Sequence, residues 1–389
     1  MVLVLFRDSQ IPITPEYDAG SPFDVTELKA PDGSISASFV SIGATLTHLW
    51  AKDRDGKFRD VVLGYDDPSM LWSDPAHPVF SAIVGRTVRP FFVSTLRYQS
   101  RSCIGTFSIP ISKDPKPPAD IYTIPTNDHD GQVTLHGGLT GWDRRNWTVV
   151  DRSPTSVTYR HVDEGHEGFP GTVTAYATHT VSNGGVLKTV VRARATRKTP
   201  IMVTQHVYWN LDAFQDGVHD TLGHTLQIDS SQIIDLDGNA IPTGDFIDVR
   251  KNTIFDFRQP KVVGGRWNET KGLCGGECQG YDHCWVYDKL KGASYKRAGT
   301  SLWSQKSGIR LDMATNQDAV QVYSAYWMNT SRKEAHGGPD LKYGKWSGIA
   351  IEQQGHVAAI NTPEWGIDHI YGPDRPYEWS TTYKFSTLK

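Results

Sequence analysis

Short runs of alternating apolar and polar residues, separated by tight-turn pairs, dominate this chain. Phe23-Asp24-Val25-Thr26, Ile35-Ser36-Ala37-Ser38-Phe39-Val40 and Ala44-Thr45-Leu46-Thr47-His48-Leu49-Trp50 each alternate. Asp32-Gly33 and Asp53-Arg54-Asp55-Gly56 punctuate them. Successive side chains of a strand point to opposite faces, so a period of two marks a strand with one buried face. Asp-Gly suits the hairpin turn, whose central residues take positive φ. The same rhythm returns at 147–150, 157–162, 172–182, 186–195, 225–228, 283–288, 309–314 and 349–360. No stretch keeps a helical 3.6-residue period beyond two turns, and strands do not alternate with helices. An all-β sandwich or barrel is the expected class.

At 389 residues, 38% of them hydrophobic and 21% charged, the chain can bury a sizeable core. No low-complexity linker divides it, so residues 23–389 are expected to form a single domain. Residues 1–22 read as an N-terminal extension, a candidate leader remnant. The opening Val2-Leu3-Val4-Leu5-Phe6 is too short for a signal-peptide core, and no apolar run approaches a membrane span. Net charge is -3 with Lys and Arg scattered, which argues against nucleic acid or an anionic membrane as partner. Aromatics reach 11%, suited either to stacking on sugar faces or to a β-rich core. Cys274, Cys278 and Cys284 crowd one loop, leaving a disulfide or a metal site open. The spacing lacks the second cysteine pair of a structural zinc site, so no metal is expected.

Four motifs carry candidate chemistry. In Thr204-Gln205-His206-Val207-Tyr208-Trp209-Asn210-Leu211, a continuous strand would put Thr204, His206, Tyr208 and Asn210 on one face. A face that polar fits a pocket wall. Leu135-His136-Gly137-Gly138, followed by Trp142, sets an imidazole where glycines let a ligand approach closely. Gly280-Tyr281-Asp282-His283 offers a carboxylate at the entry to a strand, placed to accept from adjacent sugar hydroxyls or to stabilise its own turn. Ile349-Ala350-Ile351-Glu352-Gln353-Gln354 puts a carboxylate among apolar neighbours, where it must be ion-paired or prepared as a general base. The polar loop holding His161, Asp163, Glu164, His166 and Glu167 lacks zinc-protease spacing, and there is no phosphate-binding glycine loop or nucleophile elbow.

Together these motifs resemble the aldose 1-epimerases (galactose mutarotases) from about Val25 to Tyr383. The likeness includes Asp60-Val61-Val62-Leu63-Gly64-Tyr65, Gly85-Arg86, Glu167-Gly168-Phe169-Pro170-Gly171, Ile241-Pro242-Thr243-Gly244 and Phe255-Asp256-Phe257-Arg258 besides the four motifs above. The resemblance implies a large antiparallel β-supersandwich and cofactor-free anomer exchange on a free monosaccharide such as glucose or galactose. It implies His206 as general acid and Glu352 as general base, with His136, Asp282 and Gln321 holding sugar hydroxyls and Arg86 or Arg89 standing in for the family's second, sugar-contacting Arg. Tyr208 and Trp142 are expected to line the pocket, and the protein to be a monomer or weak dimer.

One segment departs from the family. After Gly85-Arg86 the expected Asn-Arg-Ile run is missing, and Val88 to Ile104 reads VRPFFVSTLRYQSRSCI without alternation. We read 88–104 as an atypical insert, translated intron sequence or another gene-model error; a transcript encoding it intact would refute that reading. The family's Gly-Asn after the Gln321 strand is also replaced, by Ser324-Ala325-Tyr326-Trp327. These departures keep two alternatives open: a non-catalytic carbohydrate-binding protein on the same scaffold, and a hexose-6-phosphate 1-epimerase, which needs an Arg/Lys cluster. Sequons at Asn146, Asn268 and Asn329 and the cysteine-rich loop favour an extracellular location, and the lack of an intact leader favours the cytoplasm.

Overall fold

A computed structural model describes residues 20–87, 106–109, 120–288 and 299–388. The segment 88–104, with Cys103, and the first nineteen residues of the N-terminal extension lie outside them. Among the described residues strands dominate, and the helices are a single turn at Met70–Ser73 and short 3-10 turns. Every ladder between neighbouring strands of the three sheets below is antiparallel.

The largest sheet has nine strands, in the order Lys261–Val262, Thr225–Ile228, Thr300–Trp303, Ile309–Thr315, Tyr377–Thr387, Val186–Ala195, Val173–Ser182, Ser156–Asp163 and Thr148–Ser153. Its alternation is that of the sequence: Val173, Ala175, Ala177, His179 and Val181 are buried while the residues between them are half-buried. A second sheet of six strands carries the chemistry. Its order is Tyr208–Trp209, Ile349–Gln354, Ala319–Tyr323, Asp282–Val286, Gln232–Leu236 and Pro242–Asp248. A third, N-terminal sheet pairs Thr26–Lys29, Ile35–Val40, Thr45–Lys52 and Phe58–Asp60.

One apolar core joins the three sheets, with Phe39 and Leu49, Trp379 and Tyr383, and Trp285 and Ile351 all in the same cluster. Burying such side chains contributes about 1.5–3 kcal/mol each. Polar bonds register the two larger sheets at one point. The Trp379 indole donates to the Gln353 carbonyl at 2.6 Å, and the Tyr287 hydroxyl donates to the Gln353 side-chain oxygen at 2.6 Å. The strand Ile349–Gln354 is buried at every position, because its odd residues enter the core and its even residues face the opposite layer.

The segment 204–210 is not the continuous strand its alternation suggests. Thr204–Gln205 pairs with Ile83–Val84, and Tyr208–Trp209 pairs with Ile349–Ala350. The chain changes partner between them because it passes from one edge ladder to another, and His206 sits at that crossing.

Candidate active site

The six-stranded sheet and the loops packed on it enclose a cavity of about 690 Å³. His206 and Glu352 lie deep in it, 4% and 3% exposed, with His206 Nε2 3.4 Å from Glu352 Oε1. Backbone bonds on both sides fix His206: its N–H donates to the Ala82 carbonyl at 3.0 Å, and its carbonyl accepts from Ser81 N–H at 2.8 Å. Glu352 stands opposite Gln321 in the ladder with Ala319–Tyr323. The next residue, Gln353, accepts at its carbonyl from the Thr204 hydroxyl at 2.9 Å, tying the strand that bears the carboxylate to the segment that bears the imidazole.

Three further side chains converge on the pair. The His136 ring lies 5.2 Å from the His206 ring, edge to face, and the Tyr208 ring 5.0 Å from His206 on another side. Asp282, first residue of its strand, accepts from the Gln321 side-chain amide at 2.6 Å. His136 adopts positive φ, as do His77, Val79, His129 and Ala240, five non-glycine residues that all line this cavity. Such backbone is unfavourable unless the surroundings over-determine it, and it concentrates at functional sites. The surroundings of His136 do so. A Cβ on Gly137 would fall 2.0 Å from the Gly85 carbonyl oxygen, and Asn127 bonds the loop at Leu135 and Gly138. The Glu167 carboxylate accepts from Leu139 and Thr140 N–H, closing its far end.

The lining includes three carboxylates, Asp128, Asp282 and Glu352, and, among the described residues, no Lys or Arg. Such a wall suits a neutral polyhydroxylated ligand and disfavours a phosphate. Among the described residues no group of three His, Cys, Asp or Glu side chains is arranged to hold a metal ion. Cys274 and Cys278 are joined by a disulfide, which resolves the choice left open by their spacing.

A family model described as aldose 1-epimerase matches residues 120–384. A probable aldose 1-epimerase of Arthroderma benhamiae is 33% identical, the match covering 93% of this chain and 86% of that protein. The galactose mutarotase of Bos taurus is 30% identical over 93% of this chain and 94% of its own length. The chain belongs to the aldose 1-epimerase family. The solved aldose epimerase homologue from C. elegans superposes with a TM-score of 0.76 at 26% identity, covering 94% of this chain and 99% of that one. Galactose 1-epimerase from Lactobacillus acidophilus, at 19% identity and a TM-score of 0.70, shares the fold, the antiparallel supersandwich expected from the strand pattern.

Against this family background, His206, Glu352, His136, Asp282 and Tyr208 come together on one cavity. Gln321 stands behind them and holds Asp282 rather than appearing among the cavity-lining side chains. Arg86 and Trp142 correct the sequence reading. The Arg86 side chain is fully buried away from the cavity. Its five N–H donors meet five acceptors: Asp163 Oδ2 and carbonyl, the Pro170 and Gly171 carbonyls, and the Thr199 hydroxyl. A guanidinium has five donors, so none remains for a sugar. Burial pushes the Asp163 carboxyl up, but Arg86 beside it outweighs that and holds it below the ordinary range. The Trp142 indole donates to the same Asp163 oxygen at 2.8 Å and packs on Trp147. Both residues brace the fold beneath the His136 loop.

Asp163 and Glu167, which sequence spacing alone made unremarkable, thus hold the site in shape. His77 was missed entirely. It lines the cavity with Nε2 2.7 Å from Asp143 Oδ2 and the Arg144 Nε–H 3.0 Å away. Nothing in the run Ala76-His77-Pro78 distinguishes it from an ordinary turn histidine.

Proposed function

We propose that the protein is an aldose 1-epimerase that interconverts the α and β anomers of a free hexose, with His206 as acid and Glu352 as base. The observation that carries this reading is the imidazole nitrogen and carboxylate oxygen 3.4 Å apart in a sugar-sized polar cavity. The ring oxygen and the C1 hydroxyl of an aldopyranose are bonded to one carbon, so an acid and a base serving both must be close neighbours. Glu352 takes the C1 hydroxyl proton while His206 Nε2–H gives a proton to the ring oxygen. The C1–O5 bond opens to the free aldehyde. Rotation about C1–C2 presents the other carbonyl face; O5 then adds to C1, returning its proton to His206 while Glu352 protonates the new C1 oxygen. Each turnover leaves both groups as they began.

His136, Tyr208 and Asp282 would hold the remaining hydroxyls, with Gln321 fixing the Asp282 carboxylate. The absence of Lys and Arg from the described lining favours the free sugar over its 6-phosphate. Residues 23–389 act here as one unit. Polarimetry of freshly dissolved α-D-glucose and α-D-galactose tests the reading. The chain should accelerate mutarotation, and Glu352→Gln should abolish about 10²–10⁴-fold of that acceleration, the usual worth of a positioned base. A folded chain that binds galactose without accelerating exchange would establish the binding-protein alternative instead.

A further inference from the structure

The Cys274–Cys278 disulfide is built into one wall of the cavity, and the acid–base pair makes no use of it. Residues 272–280 read GLCGGECQG, four glycines in nine positions, and all four adopt positive φ. A segment so rich in glycine has much backbone freedom to lose when ordered. Yet Cys274, Gly275 and Gly276 all line the cavity, beside Asn239 and Ala240. The base of the loop is well held: Lys271 bridges Gln279, and the Trp346 indole donates to the Gln279 carbonyl at 3.0 Å. The tip has fewer ties to the rest of the fold: Gly275 lies against Ala240 and Gly276 N–H makes a long 3.4 Å bond to the Gly238 carbonyl, while within the loop Gly272 N–H donates to the Cys278 carbonyl at 2.7 Å.

The disulfide adds the one covalent restraint on the tip, with Cys274 and Cys278 Cα atoms 5.4 Å apart and both cysteines in a buried cluster with Tyr326. The loop also delivers Asp282. A Cβ at Gly280 would fall 2.0 Å from the Ser324 hydroxyl, which accepts from Tyr281 N–H at 2.9 Å, and Asp282 follows directly. Glu352 stands on another strand and His206 at the crossing between two ladders, the two segments tied by the Thr204–Gln353 bond.

We propose that the Cys274–Cys278 disulfide is a substrate-positioning element, which sets sugar affinity by ordering the 272–280 wall and the approach to Asp282, without taking part in proton transfer. The proposal rests on the cavity being the sugar site. Reducing the bond returns freedom to the tip, which sugar binding must then take back. The expected effect is a KM for galactose raised about tenfold, equivalent to re-ordering roughly one backbone residue, with kcat held within about twofold.

The test compares the intact full-length protein before and after mild reduction, with alkylation and peptide mapping to verify that Cys274 and Cys278 have opened. The Cys274→Ser/Cys278→Ser variant should reproduce the reduced state and no longer respond to reductant. Galactose Kd is measured on the same samples by calorimetry. A rise in KM and Kd at constant kcat supports the proposal. Unchanged KM and Kd with both thiols alkylated, or a melting-temperature loss alone, would overturn it by showing a purely structural bond. A fall in kcat at constant KM overturns it too. If the oxidised protein binds galactose but does not accelerate mutarotation, the catalytic reading fails, and the change in Kd on reduction still decides this one. A protein that binds no sugar in either state overturns both.

Discussion

Two of the regions where this molecule brings histidine and carboxylate together differ in access and in a buried lysine. At the cavity, His206 and Glu352 face open volume. At the junction of the N-terminal sheet with the 330–343 segment, Asp60, Lys333 and His336 are sealed. The Asp60 and Lys333 side chains are wholly inaccessible. Lys333 Nζ donates to Asp60 Oδ2 at 2.7 Å, to the Val62 carbonyl at 3.0 Å and to the Thr47 carbonyl, using all three of its protons. His336 bonds the Asp60 carbonyl at 2.7 Å and the Tyr343 hydroxyl at 2.6 Å. Burial lowers the lysine; it also pushes Asp60 up, but Lys333, His336 and His48 together hold that carboxyl below its ordinary range. Every group there has a partner, so none is left to act on a ligand. Histidine and carboxylate sealed around a lysine make a fastener in one place, and facing open volume they make a candidate acid–base pair in the other.

The comparison can be broken from either side. Glu352→Gln should remove about 10²–10⁴-fold of mutarotase acceleration at an unchanged melting temperature; a parallel loss of stability would show that Glu352 is a structural ion-pair member like Asp60. Lys333→Met should do the reverse. It strands the Asp60 carboxylate without its partner and should destabilise the protein by about 3–5 kcal/mol in urea titrations, with kcat per folded molecule preserved.

Acidification separates the regions by a different route. Burial pushes His336 down to about 4, so it is neutral in the native state while its unfolded counterpart titrates near the ordinary value. Below that ordinary value the unfolded chain takes up a proton that the folded chain refuses, and stability falls as pH drops toward 4. Between pH 7 and 5 this site alone should contribute about 2 kcal/mol of lost stability, and the pH slope in His336→Gln should be shallower by that amount. His161 and His369, both near 4, and His179, near 3, are pushed the same way by burial and add to the slope of the wild type. The smallest effect concerns aim rather than charge: Gln321→Ala frees the Asp282 carboxylate and should raise KM about tenfold while sparing kcat, as loss of one hydrogen bond to a charged group would.

The parts of the fold legible in the sequence are those where a side chain's environment follows from its neighbours in the chain. Val173 to Ser182 alternates in text and in burial alike. Glu352, directly after the apolar run Ile349-Ala350-Ile351, could be placed near the core, and it is. Arg86 was misjudged because adjacency to a glycine says nothing about how many acceptors wait on distant segments at 163, 170, 171 and 199. His77 escaped notice for the same reason, since its partner Asp143 is sixty-six residues away. The strand expected through His206 was broken by a change of ladder partner, a long-range choice that local alternation does not encode. A cysteine pair four apart told of cross-linking or metal, and only three-dimensional placement chose between them.

The pairing of Tyr208 and Trp209 with Ala350 and Ile349 has a consequence for how this protein would lose activity. The segment that carries the imidazole leads directly into this ladder and the strand that carries the carboxylate forms its other side, the two also joined by the Thr204–Gln353 bond. Backbone amides in 208–209 and 349–351 should therefore exchange with solvent deuterium together, through one cooperative opening rather than independent fraying. Under thermal stress the population would divide into molecules with both groups in place and molecules with neither, with no half-competent intermediate between them.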